Sequence, residues 1–280
     1  MKSVTSYSMR VAPVGIAVRD PLFNLEGQVV VLTGGAGLLG RCFADALAER
    51  GARVAIFDRY IDSMLTVGRV KAYEVDVTKR ASLEAALVQV ENSLGEPRGL
   101  INCAAIDSPP DAPESENGPF EEYSIESWRR VMDVNVTGTF LACQVVGGRM
   151  ASRAGGSVVN IASIYGQVSP DQRIYEYRRA GGESFYKPAA YATSKSALYN
   201  LTRYLATYWA NRGVRVNTVT FGGVFDNQDP QFLSEYAKRV PLGRMADPQD
   251  YVGTIIFLLS PASSYMTGSN VVIDGGWTAW

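Results

Sequence analysis

The sequence predicts an α/β fold, a doubly wound parallel sheet of about seven strands with helices on both faces. Three observations carry that expectation. Short apolar runs such as Val29-Val30-Val31-Leu32 and Val54-Ala55-Ile56-Phe57 read as strands buried on both faces. They alternate with longer stretches of helical period, the pattern of parallel strands joined by crossover helices. A glycine-rich turn, Thr33-Gly34-Gly35-Ala36-Gly37-Leu38-Leu39-Gly40, joins the first run directly to the first helix. The chain of 280 residues is long enough for one large domain and short for two, so residues 25–280 are expected to form a single unit.

Taken in order, residues 1–24 show neither period and contain Pro13 and Pro21, which predicts a tail. After the Glu26-Gly27 turn and the first strand, a helix with Leu39, Phe43, Ala46 and Leu47 on one face stops at Gly51. The second strand, Val54–Phe57, runs into Asp58, and a third ends in Tyr73-Glu74-Val75-Asp76-Val77. A helix is expected over Ala81–Leu94, then a fourth strand Leu100-Ile101-Asn102-Cys103-Ala104. A Pro- and acid-rich loop, Ile106–Phe120, precedes a long helix from Ser124 to Met150 that contains Asn135 and Thr139.

The fifth strand, Val158-Val159-Asn160-Ile161, delivers Ser163 at its carboxyl end, the edge where open α/β sheets hold ligands. Gly166–Lys187 reads as irregular. Pro188 then opens a helix that lasts to Gly213. A sixth strand, Val214–Val219, leads into the loop Thr220-Phe221-Gly222-Gly223-Val224-Phe225. Asp247-Pro248, a cap followed by a first-turn proline, starts an apolar helix Tyr251–Leu259. Strand Asn270–Ile273 and the tail Asp274–Trp280 close the chain.

The glycine turn has the chemistry of a phosphate cradle. Gly34 permits the tight turn, Gly37 lets a pyrophosphate approach the backbone, and Gly40 lets helix pack on strand. Asp58 ends the next strand eighteen residues beyond Gly40, where a carboxylate accepts hydrogen bonds from both ribose hydroxyls of an adenosine and repels a phosphate. Together these features predict a dinucleotide cofactor, NAD in preference to NADP.

Composition removes other classes. Lys+Arg 27 against Asp+Glu 28 leaves a formal charge of -1, with nothing to attract nucleic acid. No apolar run reaches the length of about twenty that spans a bilayer, and the N-terminus lacks a signal-peptide pattern, so a cytoplasmic protein is expected. Cys42, Cys103 and Cys143 stand singly in apolar surroundings, as small hydrophobes rather than a disulfide framework. The count of histidine is 0, which excludes imidazole bases, Ser/His/Asp triads and His-ligated metals; no metal is expected. Tyr191 and Lys195, four residues apart, share a helix face about one turn apart. A fixed ammonium beside a phenol of ordinary pKa about 10 favours the phenolate, which makes Tyr191 a candidate acid/base.

With the glycine turn, Asn102, Asn135, Ser163 and Tyr191-x-x-x-Lys195 in this order, the sequence from about Leu25 onward resembles the short-chain dehydrogenase/reductase family. The resemblance implies a Rossmann-type sheet with Tyr191 as proton donor or acceptor, Ser163 bonded to the substrate oxygen, Lys195 on the nicotinamide ribose, and Asn135 holding a relay water. It also implies that Leu39, Asp76, Val77, Asn102, Ala104, Gly223 and Val224 join Gly34, Gly37, Gly40 and Asp58 around the cofactor, in a homotetramer. The glycine spacing is that of the family's extended branch. The short distance from Lys195 to the end and the closing Asp274-Gly275-Gly276 are those of the short, single-domain branch, to which the chain is assigned. Asn102-Cys103-Ala104-Ala105 stands for the usual Asn-Asn-Ala-Gly, and Phe221 for the usual proline before the nicotinamide-loop glycine.

The distance from Ser163 to Tyr191 is about twice that of the short branch, which makes 166–187 an insertion of roughly fifteen residues facing the active site. Arg173, Arg178 and Arg179 are its candidates for gripping a substrate phosphate, with Tyr175, Tyr177, Phe185, Tyr186 and Lys187 beside them. A solvated or subunit-contact loop is the alternative, since Asp171, Glu176 and Glu183 nearly cancel the charge. Ser163-Ile164-Tyr165-Gly166, Ile174-Tyr175-Glu176 and Gly222-Gly223-Val224-Phe225 are also similar to bacterial dehydrogenases of flagellin-modification and nonulosonate sugar pathways. The expected activity is NAD-dependent interconversion of a secondary alcohol and a ketone on a sugar, sugar phosphate or nucleotide sugar. The alternatives are a general carbonyl or acyl/polyketide ketoreductase and a catalytically silent dinucleotide sensor.

Overall fold

The computed structural model of the chain describes residues 20–61, 65–107, 114–153 and 155–280. Its centre is a seven-stranded parallel sheet of β1 (Val29–Thr33), β2 (Arg53–Asp58), β3 (Val70–Glu74), β4 (Pro97–Asn102), β5 (Gly156–Ser163), β6 (Val214–Phe221) and β7 (Asn270–Ile273). The strand order is β3-β2-β1-β4-β5-β6-β7. β1 therefore pairs on both sides, with Leu32 opposite Ile56 of β2 and Ile101 of β4. Beyond it the winding reverses, and the crevice that opens at such a switch point is where this architecture binds ligands.

The alternation of strand side chains divides the core in two. Val29 and Val31 face one side with Phe57, Leu87, Val146 and Trp209. That side is covered by helices Arg80–Ser93 and Ala189–Trp209 and by a helical run over 125–151. Val30 and Leu32 face the other with Phe43, Ile56, Tyr251 and Leu258, under helices Leu38–Glu49 and Gln249–Leu259. Each fully buried side chain of this size contributes about 1.5–3 kcal/mol. A third, smaller core of Ile164, Ile174, Tyr175, Phe185, Tyr236, Val240 and Trp277 lies outside the sheet.

Several elements differ from expectation for local reasons. Asp76 and Val77 lie beyond β3, because the Asp76 carboxylate accepts the Thr78 N–H at 3.1 Å and the Thr78 hydroxyl at 2.6 Å and turns the chain. The long helix begins after Ser124, whose hydroxyl accepts the Ser127 N–H, but π-helical turns interrupt it at Asp133–Gly138 and Cys143–Gly147. An unanticipated helix, Pro230–Ala237, follows Asp229, whose carboxylate accepts the N–H groups of Gln231 and Phe232. Gly166–Lys187, expected to be irregular, contains the short helices Gln172–Tyr175 and Glu176–Ala180, whose apolar side chains feed the third core. Of the expected tail, residues 1–19 lie outside the described residues; Pro21–Phe23 forms a short helical turn, and Phe23 packs on the core.

Candidate active site

The helix Ala189–Trp209 points one face at the carboxyl end of β5. Along that face, at intervals of four, stand Tyr191, Lys195 and Tyr199. The Lys195 ammonium donates to the Ile161 carbonyl at 2.8 Å and lies 5.7 Å from the centroid of the Tyr191 ring. Ser163, the last residue of β5, lines the same cavity as Tyr191. Tyr199 donates to the Ser163 carbonyl at 3.1 Å, fixing the strand end. The helix comes this close because of Gly166, where a Cβ would stand 2.7 Å from the carbonyl carbon of Lys195.

The electrostatics depart from the simple picture of an ammonium lowering a phenol. Burial pushes the Tyr191 pKa well above its ordinary value, the Asp107 carboxylate adds to the rise, and the Ser163 hydroxyl offsets part of it. Burial also draws Lys195 down, to about 8. Tyr191 is thus held as a neutral acid, beside an amine that changes charge close to neutrality.

Asn135 sits fully buried in the first π-helical turn. Its carboxamide accepts the Ile106 N–H at 2.8 Å and donates to the Ile106 carbonyl at 3.0 Å and to the Ser194 hydroxyl at 2.9 Å. The side chain thereby fastens the exit of β4 to the helix that carries Tyr191.

The glycine turn fits a dinucleotide phosphate. Gly34 has φ +68°, and a Cβ on it would lie 2.6 Å from the Ala104 Cα; one on Gly40 would lie 2.3 Å from the Gly34 carbonyl oxygen. Gly37 differs, because its nearest neighbour would be 3.5 Å away. Packing within the protein does not demand glycine there, as expected of the position that a ligand approaches. The following helix Leu38–Glu49 has no side-chain cap, which leaves its first N–H groups to an anion. Asp58 reaches the same turn, accepting the Ala36 N–H through Oδ2 at 3.0 Å. Leu39 lines the adjoining cavity with Gly223 and Val224.

Three of the expected cofactor residues use their side chains within the protein. The Asn102 carboxamide, buried in the sheet, donates to Asn160 Oδ1 at 2.8 Å and to Cys143 Sγ at 3.3 Å. The Asp76 carboxylate caps its turn, and the Val77 side chain belongs to the core. Phe221, found in place of the usual proline, ends β6 and stacks on Tyr251 with ring centroids 3.9 Å apart.

Above Ser163 and Tyr191 opens a cavity of about 950 Å³. The segment 166–187 supplies one wall through Tyr175, Tyr177, Arg178, Glu183, Phe185 and Lys187. Asp107 and Tyr165 also line it, as do Asp226, Asp229 and Phe232. The three candidate arginines are not brought together there. Arg173 is 76% exposed and bound to Asp171. Arg179 donates to the carbonyls of Phe185 and Gln172, so it holds the segment's own fold. Only Arg178 reaches the cavity, and it is paired with Glu183 and stacked on Phe185. Of the three candidates one thus faces the cavity, and the insertion's own carboxylates and carbonyls take the guanidiniums. Asp107 carries no local signal in the sequence; for Phe232 the Asp229-Pro230 cap is the signal that announces the helix carrying it.

A glycine phosphate cradle, an acidic residue after β2 and a Ser, Tyr and Lys at the carboxyl edge of a parallel sheet define a nucleotide-dependent oxidoreductase. The profile described as short chain dehydrogenase matches residues 28–177, and one described as Enoyl-(Acyl carrier protein) reductase matches residues 183–278. The chain belongs to the short-chain dehydrogenase/reductase family. It is 33% identical to 2-(S)-hydroxypropyl-CoM dehydrogenase 3 of Xanthobacter autotrophicus, over 91% of this chain and 98% of that one. It is 32% identical to D-threitol dehydrogenase of Mycolicibacterium smegmatis, over 91% of this chain and 95% of that one. Among solved structures, a short chain dehydrogenase from Leptospira borgpetersenii with bound NAD+ aligns with a TM-score of 0.82 at 33% identity, over 97% of this chain and 100% of that one. A gluconate 5-dehydrogenase from Burkholderia cenocepacia in complex with NADP and tartrate aligns with a TM-score of 0.78 at 28% identity, over 93% and 98%. The fold of this family binds a nicotinamide dinucleotide.

Proposed function

We propose that the chain is an NAD-dependent dehydrogenase that interconverts a secondary alcohol and a ketone on a neutral polyol or sugar. One observation carries the substrate class: the cations that the insertion brings to the cavity wall are already paired with carboxylates. Arg178 is paired with Glu183, Lys187 with Asp107, and Asp226 and Asp229 add further negative charge. A phosphate entering here would have to displace a carboxylate from each cation, whereas hydroxyl groups can bond to both members of a pair. Of the sugar, sugar phosphate and nucleotide sugar foreseen from the sequence, the neutral sugar fits best, and the relative named for D-threitol is in keeping with it.

Bound NAD supplies the hydride acceptor in oxidation and the hydride donor in reduction. As hydride leaves the carbinol carbon, Ser163 holds the oxygen and the phenolate form of Tyr191 takes the hydroxyl proton to become the neutral phenol; with Lys195 beside it, that phenol then gives its proton up towards solvent. In reduction, Tyr191 returns a proton to the ketone oxygen. A neutral phenol suits that direction near neutral pH. Asn135 positions this machinery, with its relay-water role as part of the same proposal. Asp58 sets the preference for NAD through the adenosine ribose.

We further infer a homotetramer in the cytoplasm. Phe140, Tyr204 and Tyr208 are exposed on the helical run 125–151 and on Ala189–Trp209, and Tyr204 stacks on Tyr208 at 5.8 Å, an aromatic surface suited to a second copy. Free thiols at Cys42, Cys103 and Cys143 suit a reducing compartment. Among the described residues no helix is long and apolar enough to cross a membrane.

Turnover of a panel of neutral polyols from three to six carbons, their phosphate esters and 2-butanol, followed by absorbance of the reduced nicotinamide, tests the substrate class. Neutral polyols should give the highest kcat/KM. A clear preference for the phosphate esters, or for 2-butanol, would contradict it.

A further inference from the structure

Lys187 and Asp107 stand eighty residues apart in sequence and meet at the wall of the catalytic cavity, where the ammonium is bonded to the carboxylate. The Lys187 side chain is 12% exposed and that of Asp107 37%. The same ammonium lies 5.3 Å from the centroid of the Tyr191 ring, so the catalytic tyrosine has Lys195 and Lys187 both beside it.

Few residues of the insertion are fixed as Lys187 is. Gln172 grips its backbone from both sides, accepting the Lys187 N–H at 2.9 Å and donating to the Lys187 carbonyl at 3.0 Å. The neighbouring Tyr186 N–H donates to the Asn117 carbonyl at 2.6 Å. Pro188 restricts the residue before it to extended backbone. Gln172 is itself held through its carbonyl by Arg179, so the basic residue first read as a phosphate ligand serves to place Lys187.

An ion pair with one partly exposed member brings little net stability, which leaves stability a weak reason for this arrangement. An ammonium has three donors, and the bond to Asp107 uses one. We propose that Lys187, set by Asp107, is a substrate-positioning residue that donates to a hydroxyl next to the reacting carbinol of a polyol and so orients that carbon over Ser163 and Tyr191. This assignment rests on the polyol reading above. It adds that the specificity lies in residue 187, delivered by the insertion.

The test compares Lys187→Met and Lys187→Arg with wild type, using glycerol, threitol and a hexitol as probes and measuring NAD binding by quenching of intrinsic fluorescence. Lys187→Met should raise KM for the preferred polyol about tenfold or more, the loss of one charged hydrogen bond, with kcat within about threefold and NAD affinity unchanged. Lys187→Arg should recover most of the loss. An unchanged KM in Lys187→Met would overturn the proposal. So would a fall confined to kcat, or a parallel fall in NAD affinity. If wild type shows no preference for polyols over 2-butanol, the substrate class itself fails, a result distinct from any change at residue 187.

Discussion

Lys195 spends its ammonium hydrogen bond on the carbonyl of Ile161, at 2.8 Å. The bond joins the catalytic helix to β5 two residues before Ser163, so the lysine holds geometry as well as charge. Lys195→Met should leave that buried carbonyl without its donor, a cost of about 1–3 kcal/mol. The melting temperature should fall by several degrees while turnover and NAD affinity both drop. Unchanged thermal stability and NAD affinity in this variant would contradict the double role.

The pH dependence follows from the charges around Tyr191. Its pKa is raised, by burial first and Asp107 second, so the phenol stays protonated at neutral pH and alcohol oxidation should speed up as pH rises. Asp107→Asn removes a negative charge and leaves the Lys187 cation unpaired, and both changes favour the phenolate. The apparent pKa of the oxidation profile should therefore move down. An upward shift, or none, in a folded Asp107→Asn enzyme would contradict this electrostatic account.

Asp58 ends β2 with its carboxylate at the glycine turn. Asp58→Ala removes the repulsion of a ribose phosphate along with two acceptors, so the ratio of kcat/KM for NAD to that for NADP should fall by about tenfold. Equal efficiency with both cofactors in wild type would remove the basis for the preference.

The exposed Tyr204 and Tyr208 pair gives the assembly its own test. Light scattering of wild type at micromolar concentration should give the mass of four chains, and Tyr208→Asp should reduce it. A wild-type monomer would contradict the tetramer.

Much of this was legible in the sequence because the signals are local. Val29–Thr33 and Arg53–Asp58 are short β-branched runs, and each became a strand of the sheet. The Tyr191 and Lys195 spacing puts both groups on one helical face, as in the structure, and the glycine turn leads directly into a helix. What was not legible depends on partners far away in the chain. A polar residue on a strand can face a ligand or a neighbouring strand, and Asn102 found Asn160, fifty-eight residues on. Arg173, Arg178 and Arg179 are the opposite case: their partners lie within seven residues, and the sequence already set Asp171 and Glu183 against them. Asp107 and Lys187 carried no joint signal, since eighty residues separate them and only the assembled fold brings them to one cavity.

The central claim is that Tyr191 transfers the proton that accompanies hydride transfer. Tyr191→Phe deletes the phenol oxygen and keeps the ring, and the direct measurement is steady-state turnover of the best polyol, followed by reduced nicotinamide, together with the NAD dissociation constant. A fall in kcat of about a hundredfold or more with NAD affinity within about threefold of wild type is the predicted result. A Tyr191→Phe enzyme that keeps most of its kcat would contradict the mechanism at its root.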